Sequence, residues 1–175
     1  MYVIGADPGK TGSIVLVEFD ISESRVKDTI VFGKEYSLDD VEPLSLALKE
    51  MIKGKNIEAV YVEDVHSMPL QGVASTFEFG RQYGMLLSFL RMSGFDVQLI
   101  SPQQWQRPFK HVAPPSLSTK KRTKKAFEFW DCGDEKQIET VMDSYFIGLG
   151  GWLRDSGCYF KRGSTSTLPF PKVRR

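Results

Sequence analysis

Two β-branched runs stand on either side of a short polar break at the start of the chain, and that arrangement limits the fold more than any other feature. Tyr2, Val3, Ile4 and Ala6 make the first run, and Ser13-Ile14-Val15-Leu16-Val17 makes the second. Between them lies Asp7-Pro8-Gly9-Lys10-Thr11-Gly12, with a Pro-Gly turn directly after an acid. The pattern reads strand, turn, strand. A chain that opens this way must build its sheet outward from an antiparallel pair. Asp7 falls where the first strand leaves the core, and two readings of it stand open. Asp before Pro-Gly is ordinary turn chemistry. A carboxylate at a strand end, costly to bury and of little use to the core, is equally a candidate for chemistry.

The remaining elements follow in order. Residues 27–36 predict a third strand that completes a meander, and Asp39 or Asp40 caps a helix to about Lys53 with Val41, Leu44, Leu48 and Ile52 on one stripe. Residues 57–63 predict a strand ending on Glu63 and Asp64, of which only one shares a face with the core. Ser75-Thr76-Phe77-Glu78 matches a capping box for a helix to about Met92, buried through Phe79, Tyr83, Leu86, Leu87 and Leu90. Gly80, Gly84 and Ser88 lie along that helix at four-residue spacing. Each interior glycine costs about 1 kcal/mol relative to alanine, so close approach to the sheet or to a partner helix is expected there.

A fifth strand is expected over 95–100, then a helical turn holding Trp105 and Arg107, a basic helix from about Ser118 to Trp130, and a last helix from about Glu135 to Arg154. That helix carries Ile138, Met142, Tyr145, Leu149 and Trp152 on its apolar side. The order predicts an α/β fold: a mixed five-stranded sheet, antiparallel in its N-terminal half and parallel afterwards, with helices on both faces. One domain over 1–157 and a basic, irregular tail over 158–175 account for the length.

The net charge is +1, but Lys120, Lys121, Arg122, Lys124 and Lys125 crowd one segment and the chain ends Lys172-Val173-Arg174-Arg175. Such a concentration fits a protein that meets a polyanion on one face, although a charge run alone also fits a solvated helix. No run approaches transmembrane length, so no membrane partner is expected. Cys132 and Cys158 lack metal spacing and read as reduced thiols, which places the expectation in the cytoplasm.

Asp7 and Glu63 end strands, and Glu139 and Asp143 sit one turn apart on a helix among Val141, Met142, Tyr145 and Phe146. Packed over the sheet, that helix brings the four acids together. Oxygen ligands without histidine or cysteine suit Mg²⁺, with Mn²⁺ as a substitute. Two such ions about 4 Å apart activate water on one side of a phosphodiester and stabilise the leaving oxygen on the other. Gly5 to Thr11 echoes a phosphate loop, but it is one residue short between the glycines and leads into a strand, not a helix. An actin-like ATPase needs two such domains. No nucleotide cofactor is therefore expected.

Ile4-Gly5-Ala6-Asp7-Pro8-Gly9, Tyr61-Val62-Glu63, the segment from His66 to Phe77, Ser101-Pro102-Gln103-Gln104-Trp105, the basic helix and the helix around Asp143 together resemble the RuvC family of Holliday junction resolvases. The likeness is strongest to compact bacteriophage-type members within the ribonuclease H-like superfamily, and it spans about residues 1–153. It implies a homodimer that nicks four-way DNA junctions with two divalent metals per site, leaving a 5′-phosphate and a 3′-hydroxyl, in a bacterial or phage-infected cell. Asp7, Glu63 and Asp143 match the family's metal-binding acids. The family's fourth ligand falls at Thr140, one residue from Glu139, so either Glu139 serves or the site uses three carboxylates. The resemblance puts His66, Ser67 and Met68 into the junction, the basic helix and Arg107 on phosphates, and the Gly80/Gly84 helix at the subunit interface. A ribonuclease H-like nuclease for other branched or hybrid substrates, and a non-catalytic junction-binding module, are the alternatives.

Overall fold

The computed structural model of the chain describes residues 1–19, 24–66, 72–107 and 138–156, together with Lys121 and Lys124. Five strands form one sheet: β1 (Tyr2–Asp7), β2 (Ser13–Phe19), β3 (Ser24–Val31), β4 (Ile57–Glu63) and β5 (Val97–Ile100), in the order β3-β2-β1-β4-β5. β1 pairs antiparallel with β2 and parallel with β4, β2 pairs antiparallel with β3, and β4 pairs parallel with β5. The antiparallel meander followed by parallel strands is the architecture that the order of β-prone and helical segments predicts.

Side chains alternate across each strand, so the sheet feeds two cores. Val3, Val15, Val17 and Tyr61 pack on one side with Val141, Met142, Tyr145, Phe146 and Leu149 of the helix Ile138–Asp155. Ile4, Ala6, Ile14, Leu16, Val60 and Val62 pack on the other side. There they meet α1 (Val41–Ile52) through Leu44, Leu48 and Met51, and α2 (Val73–Met92) through Leu86, Phe89 and Leu90. β1 is buried on both faces and reads as an almost unbroken apolar run. A short helix, α3 (Pro102–Gln106), follows β5, and its N-terminus carries the Ser101/Gln104 capping box. Ile138–Asp155 is α4 below.

Contact between α4 and β1 is unusually close. A Cβ on Gly5 would run into the Ser144 carbonyl and the Gly148 backbone, so only glycine lets the helix and the central strand touch main chain to main chain. Gly150 does the same for α3, since a Cβ there would lie 2.7 Å from the Trp105 backbone.

Several boundaries differ from the sequence reading. α2 begins at Val73 with Gly72 as its N-cap, so Ser75 lies inside the helix and the expected capping box is not formed. Glu78 turns instead to Arg81 and Gln82, whose charge and amide offer it more than a backbone N–H. β3 starts at Ser24 and stops at Val31, because Gly33, at a φ of 79°, turns the chain there. β5 is shorter than expected, beginning at Val97. On α1, Val41 is half exposed and Met51 takes the buried place. On α2, a methyl group added at Gly80 or Gly84 would have nothing within 4 Å, so the sheet does not use these glycines. The basic helix apart from Lys121 and Lys124, the start of the last helix at 135–137 and the tail lie outside the described residues.

Candidate active site

β1 and β4 lie side by side and in parallel, with Ala6 paired to Val62. One residue further on, Asp7 and Glu63 leave the sheet together on the face covered by α4. Adjacent strands are about 4.8 Å apart, so the two carboxylates start as neighbours. The parity of the strand selects Glu63 for this face and turns Asp64 away; the Asp64 amide continues the ladder to Ile100.

Asp7 takes the turn role that its position suggests, and its carboxylate stays on the α4 side of the sheet. Its Oδ1 accepts the Gly9 amide at 3.1 Å, which folds the Pro8-Gly9 turn back on the carboxylate. Burial nevertheless pushes the Asp7 carboxyl above the usual range, with the Gly9 bond opposing it. The turn therefore holds a carboxylate in a place where its charge is expensive.

Glu63 is raised too, to about 7. Burial is the largest cause; the Trp105 hydrogen bond opposes it, and the charges of Asp7 and then Asp143 add to the rise. The indole N–H of Trp105 donates to Glu63 Oε1 at 2.9 Å. Two carboxylates, one from the end of the neighbouring strand and one from a helix, thus act on Glu63. One oxygen of Asp143, Oδ1, is buried from solvent.

A pair of buried serines ties these elements together. Ser144 Oγ accepts the Asp7 amide at 3.1 Å and donates to the Ser13 carbonyl at 2.9 Å, and Ser13 Oγ lies 2.7 Å away. Tyr145 reaches across to Ser24, hydroxyl to hydroxyl at 2.8 Å. At the far end of α4, Asp155 accepts from the Tyr61 hydroxyl at 2.8 Å and from Arg154.

The structure brings together Asp7, Glu63 and Asp143 of the expected site. Glu139 and Thr140 stand in the first turn of α4, where only the backbone is described. His66 is exposed and faces Asp64 at 3.7 Å, while Ser67 and Met68 lie outside the described residues. Arg107 is exposed at the end of α3, and Lys121 and Lys124 are helical and exposed; Lys120, Arg122 and Lys125 are outside the described residues. Ser144 and Ser13 are functional candidates that the sequence pattern does not single out, and Trp105, which stands in a motif of the resemblance, gains a partner in Glu63. A hydroxyl on the apolar side of the last helix, next to Met142 and Tyr145, is the available signal for Ser144.

Among the described residues, no three His, Cys, Asp or Glu side chains form a ready-made cage for a metal ion. The donor set nonetheless fits a hard divalent cation: it consists of oxygens alone, and it gathers negative charge that raises Glu63.

No protein-family model matches the sequence, and no curated protein sequence does. Solved structures do match. RuvC of Thermus thermophilus aligns with a TM-score of 0.63 at 17% identity, over 90% of this chain and 97% of that one. A structure of T. thermophilus RuvC in complex with Holliday junction substrate aligns with a TM-score of 0.60 at 17% identity, over 90% and 96% of the two chains. In its mixed sheet, its strand order and its flanking helices, the chain has the ribonuclease H-like fold of RuvC.

Proposed function

We propose that the chain is a Mg²⁺-dependent endonuclease that resolves four-way DNA junctions as a homodimer. The observation that carries this reading is the convergence of Asp7 and Asp143 on Glu63, whose carboxyl is pushed up to about 7 by burial and by their charges on the α4 side of the sheet. Burying three acids against one another destabilises a fold, and a site that binds divalent cations gives the arrangement a purpose. The likeness to a RuvC whose structure contains a Holliday junction substrate supports the choice of DNA.

Asp7, Glu63 and Asp143 would hold the ions, with Glu139 as a fourth donor. Bound there, divalent ions would supply the charge that activates water and steadies the leaving oxygen. The chain's own part is orientation. Trp105 holds one Glu63 oxygen, Gly9 holds one Asp7 oxygen, and the close fit of α4 on β1 keeps Asp143 over the strand ends. His66, Ser67, Met68, Arg107 and the basic segment Lys120, Lys121, Arg122, Lys124 and Lys125 would contact DNA, the cations mainly through phosphates.

The homodimer rests on α2. Val73 (88% exposed), Phe77 (73%), Gly80, Gly84 and Met92 (88%) run along its outer side. Small residues between large apolar ones suit a second copy of the same helix, and two-fold pairing gives two sites for symmetric nicks.

Nicking of four-way, three-way, flap, linear and RNA–DNA hybrid substrates in Mg²⁺ tests the reading. Cleavage is expected on the four-way junction in preference to the others, and Asp7→Asn is expected to abolish nicking while junction binding persists. An unchanged nicking rate in that variant overturns the site, and equal cleavage of linear duplex overturns the junction selectivity.

A further inference from the structure

We infer that Ser144, supported by Ser13, is a positioning residue that fixes the Asp143 helix against the strand end bearing Asp7; the inference rests on the nuclease reading above. Met1 and Phe19 exchange both backbone hydrogen bonds across β1 and β2. Counting along the antiparallel register by twos, Asp7 and Ser13 are the last pair in the same phase, with the Asp7 N–H facing the Ser13 carbonyl. Ser144 Oγ engages both, accepting from the first and donating to the second. A helix side chain thereby joins the ladder where the two strands part.

All the bonding capacity of that hydroxyl is directed at the site. Its proton goes to the Ser13 carbonyl, and its lone pairs face the Asp7 amide and the Ser13 hydroxyl. Ser13 is 0% exposed and Ser144 is 1% exposed, so water does not compete for these groups. Successive helix residues are about 100° apart around the axis. Fixing Ser144 at the β1 end therefore fixes the direction in which Asp143, the preceding residue, leaves the helix. A buried hydroxyl used only for stability could bond anywhere in the core. This one bonds to the backbone of one candidate metal ligand while adjoining another.

Ser144→Ala removes the clamp and keeps the remaining anchors of α4, including the Tyr145–Ser24 hydrogen bond. Mn²⁺ binding to DNA-free protein is measured by electron paramagnetic resonance at a temperature where circular dichroism shows the variant folded. Junction nicking is measured against Mg²⁺ concentration, and junction affinity is measured in EDTA. Residues that orient metal ligands commonly change metal affinity about 10- to 100-fold on mutation. Ser144→Ala is expected to weaken Mn²⁺ binding about tenfold or more and to raise the Mg²⁺ concentration for half-maximal nicking, with junction affinity unchanged. Ser13→Ala, which spares the Ser13 carbonyl, is expected to have a smaller effect in the same direction and decides the matter if Ser144→Ala does not fold. Wild-type metal affinity in the folded variant overturns the role of Ser144 alone. A wild-type protein that neither binds Mn²⁺ nor nicks junctions overturns the nuclease reading and the role together.

Discussion

The indole N–H of Trp105 points at Glu63 and donates a 2.9 Å hydrogen bond to its Oε1. Of the influences on Glu63, this bond favours the charged form, opposing burial and the neighbouring acids. Trp105→Phe keeps a ring in the same place and removes the donor. The Glu63 pKa, followed by NMR in metal-free protein, should rise by roughly one pH unit above its wild-type value, the scale of a hydrogen bond to a charged group. A value at or below wild type would show that the indole does not support the carboxylate.

Glu63 also makes the metal-free protein sensitive to alkali. Its pKa is about 7 in the folded protein against an ordinary value of 4.5, so the folded state holds its proton more tightly than the unfolded chain does. Its unfavourable contribution is absent below the unfolded value, grows through the interval between the two, and is complete above 7. At pH 8 in EDTA, Glu63→Gln should be more stable than wild type by roughly 3 kcal/mol, and at pH 4.5 by little. Urea unfolding at both pH values checks this, and a gap that does not narrow on acidification contradicts it. Added Mg²⁺ should stabilise wild type and leave the variant less affected.

Glycines in two places should respond in opposite ways. Gly5→Ala sets a methyl against the Ser144 carbonyl and the Gly148 backbone, neither of which can turn aside. A loss of several kcal/mol, or failure to fold, is expected. Gly80→Ala meets nothing among the described residues and should stabilise the monomeric protein, in the Phe77→Asp background, by about 1 kcal/mol. Thermal melts of the two variants make the comparison directly.

Phe77 projects from α2 with 73% of its surface exposed. Phe77→Asp should turn a dimer into a monomer in light scattering without lowering the melting temperature of the monomer. A wild-type protein that remains monomeric both with and without junction DNA would remove α2 as a seam.

Most of the fold is legible in the sequence because it is written in local pattern. β-branched runs, their spacing and the punctuation by Gly and Pro give five strands in the right order, and strand parity allows only one of Glu63 and Asp64 on the core face, which the structure gives to Glu63. What local pattern misses is written in contacts between distant segments. Ser75 and Glu78 satisfy the capping pattern, yet the helix already starts at Val73, so Ser75 is interior and Glu78 bonds Arg81 instead. The spacing of the α2 glycines suggests close approach there, whereas Gly5 and Gly150 provide it. Asp155 has the pattern of a surface acid and joins α4 to Tyr61 of β4. Within the site, carboxylates announce themselves by chemistry, while Trp105 and Ser144 gain meaning only from what they touch.

The bond between the Asp7 amide and Ser144 spans 137 residues, nearly the whole described chain. A ribosome that has released β1 through β4 has made two of the three clustered carboxylates, and the third arrives only with α4. Nascent fragments and chains broken before α4 therefore carry Asp7 and Glu63 without Asp143 opposite them. On the nuclease reading, the capacity to cut DNA is thus tied to synthesis of α4, the last described element of the chain.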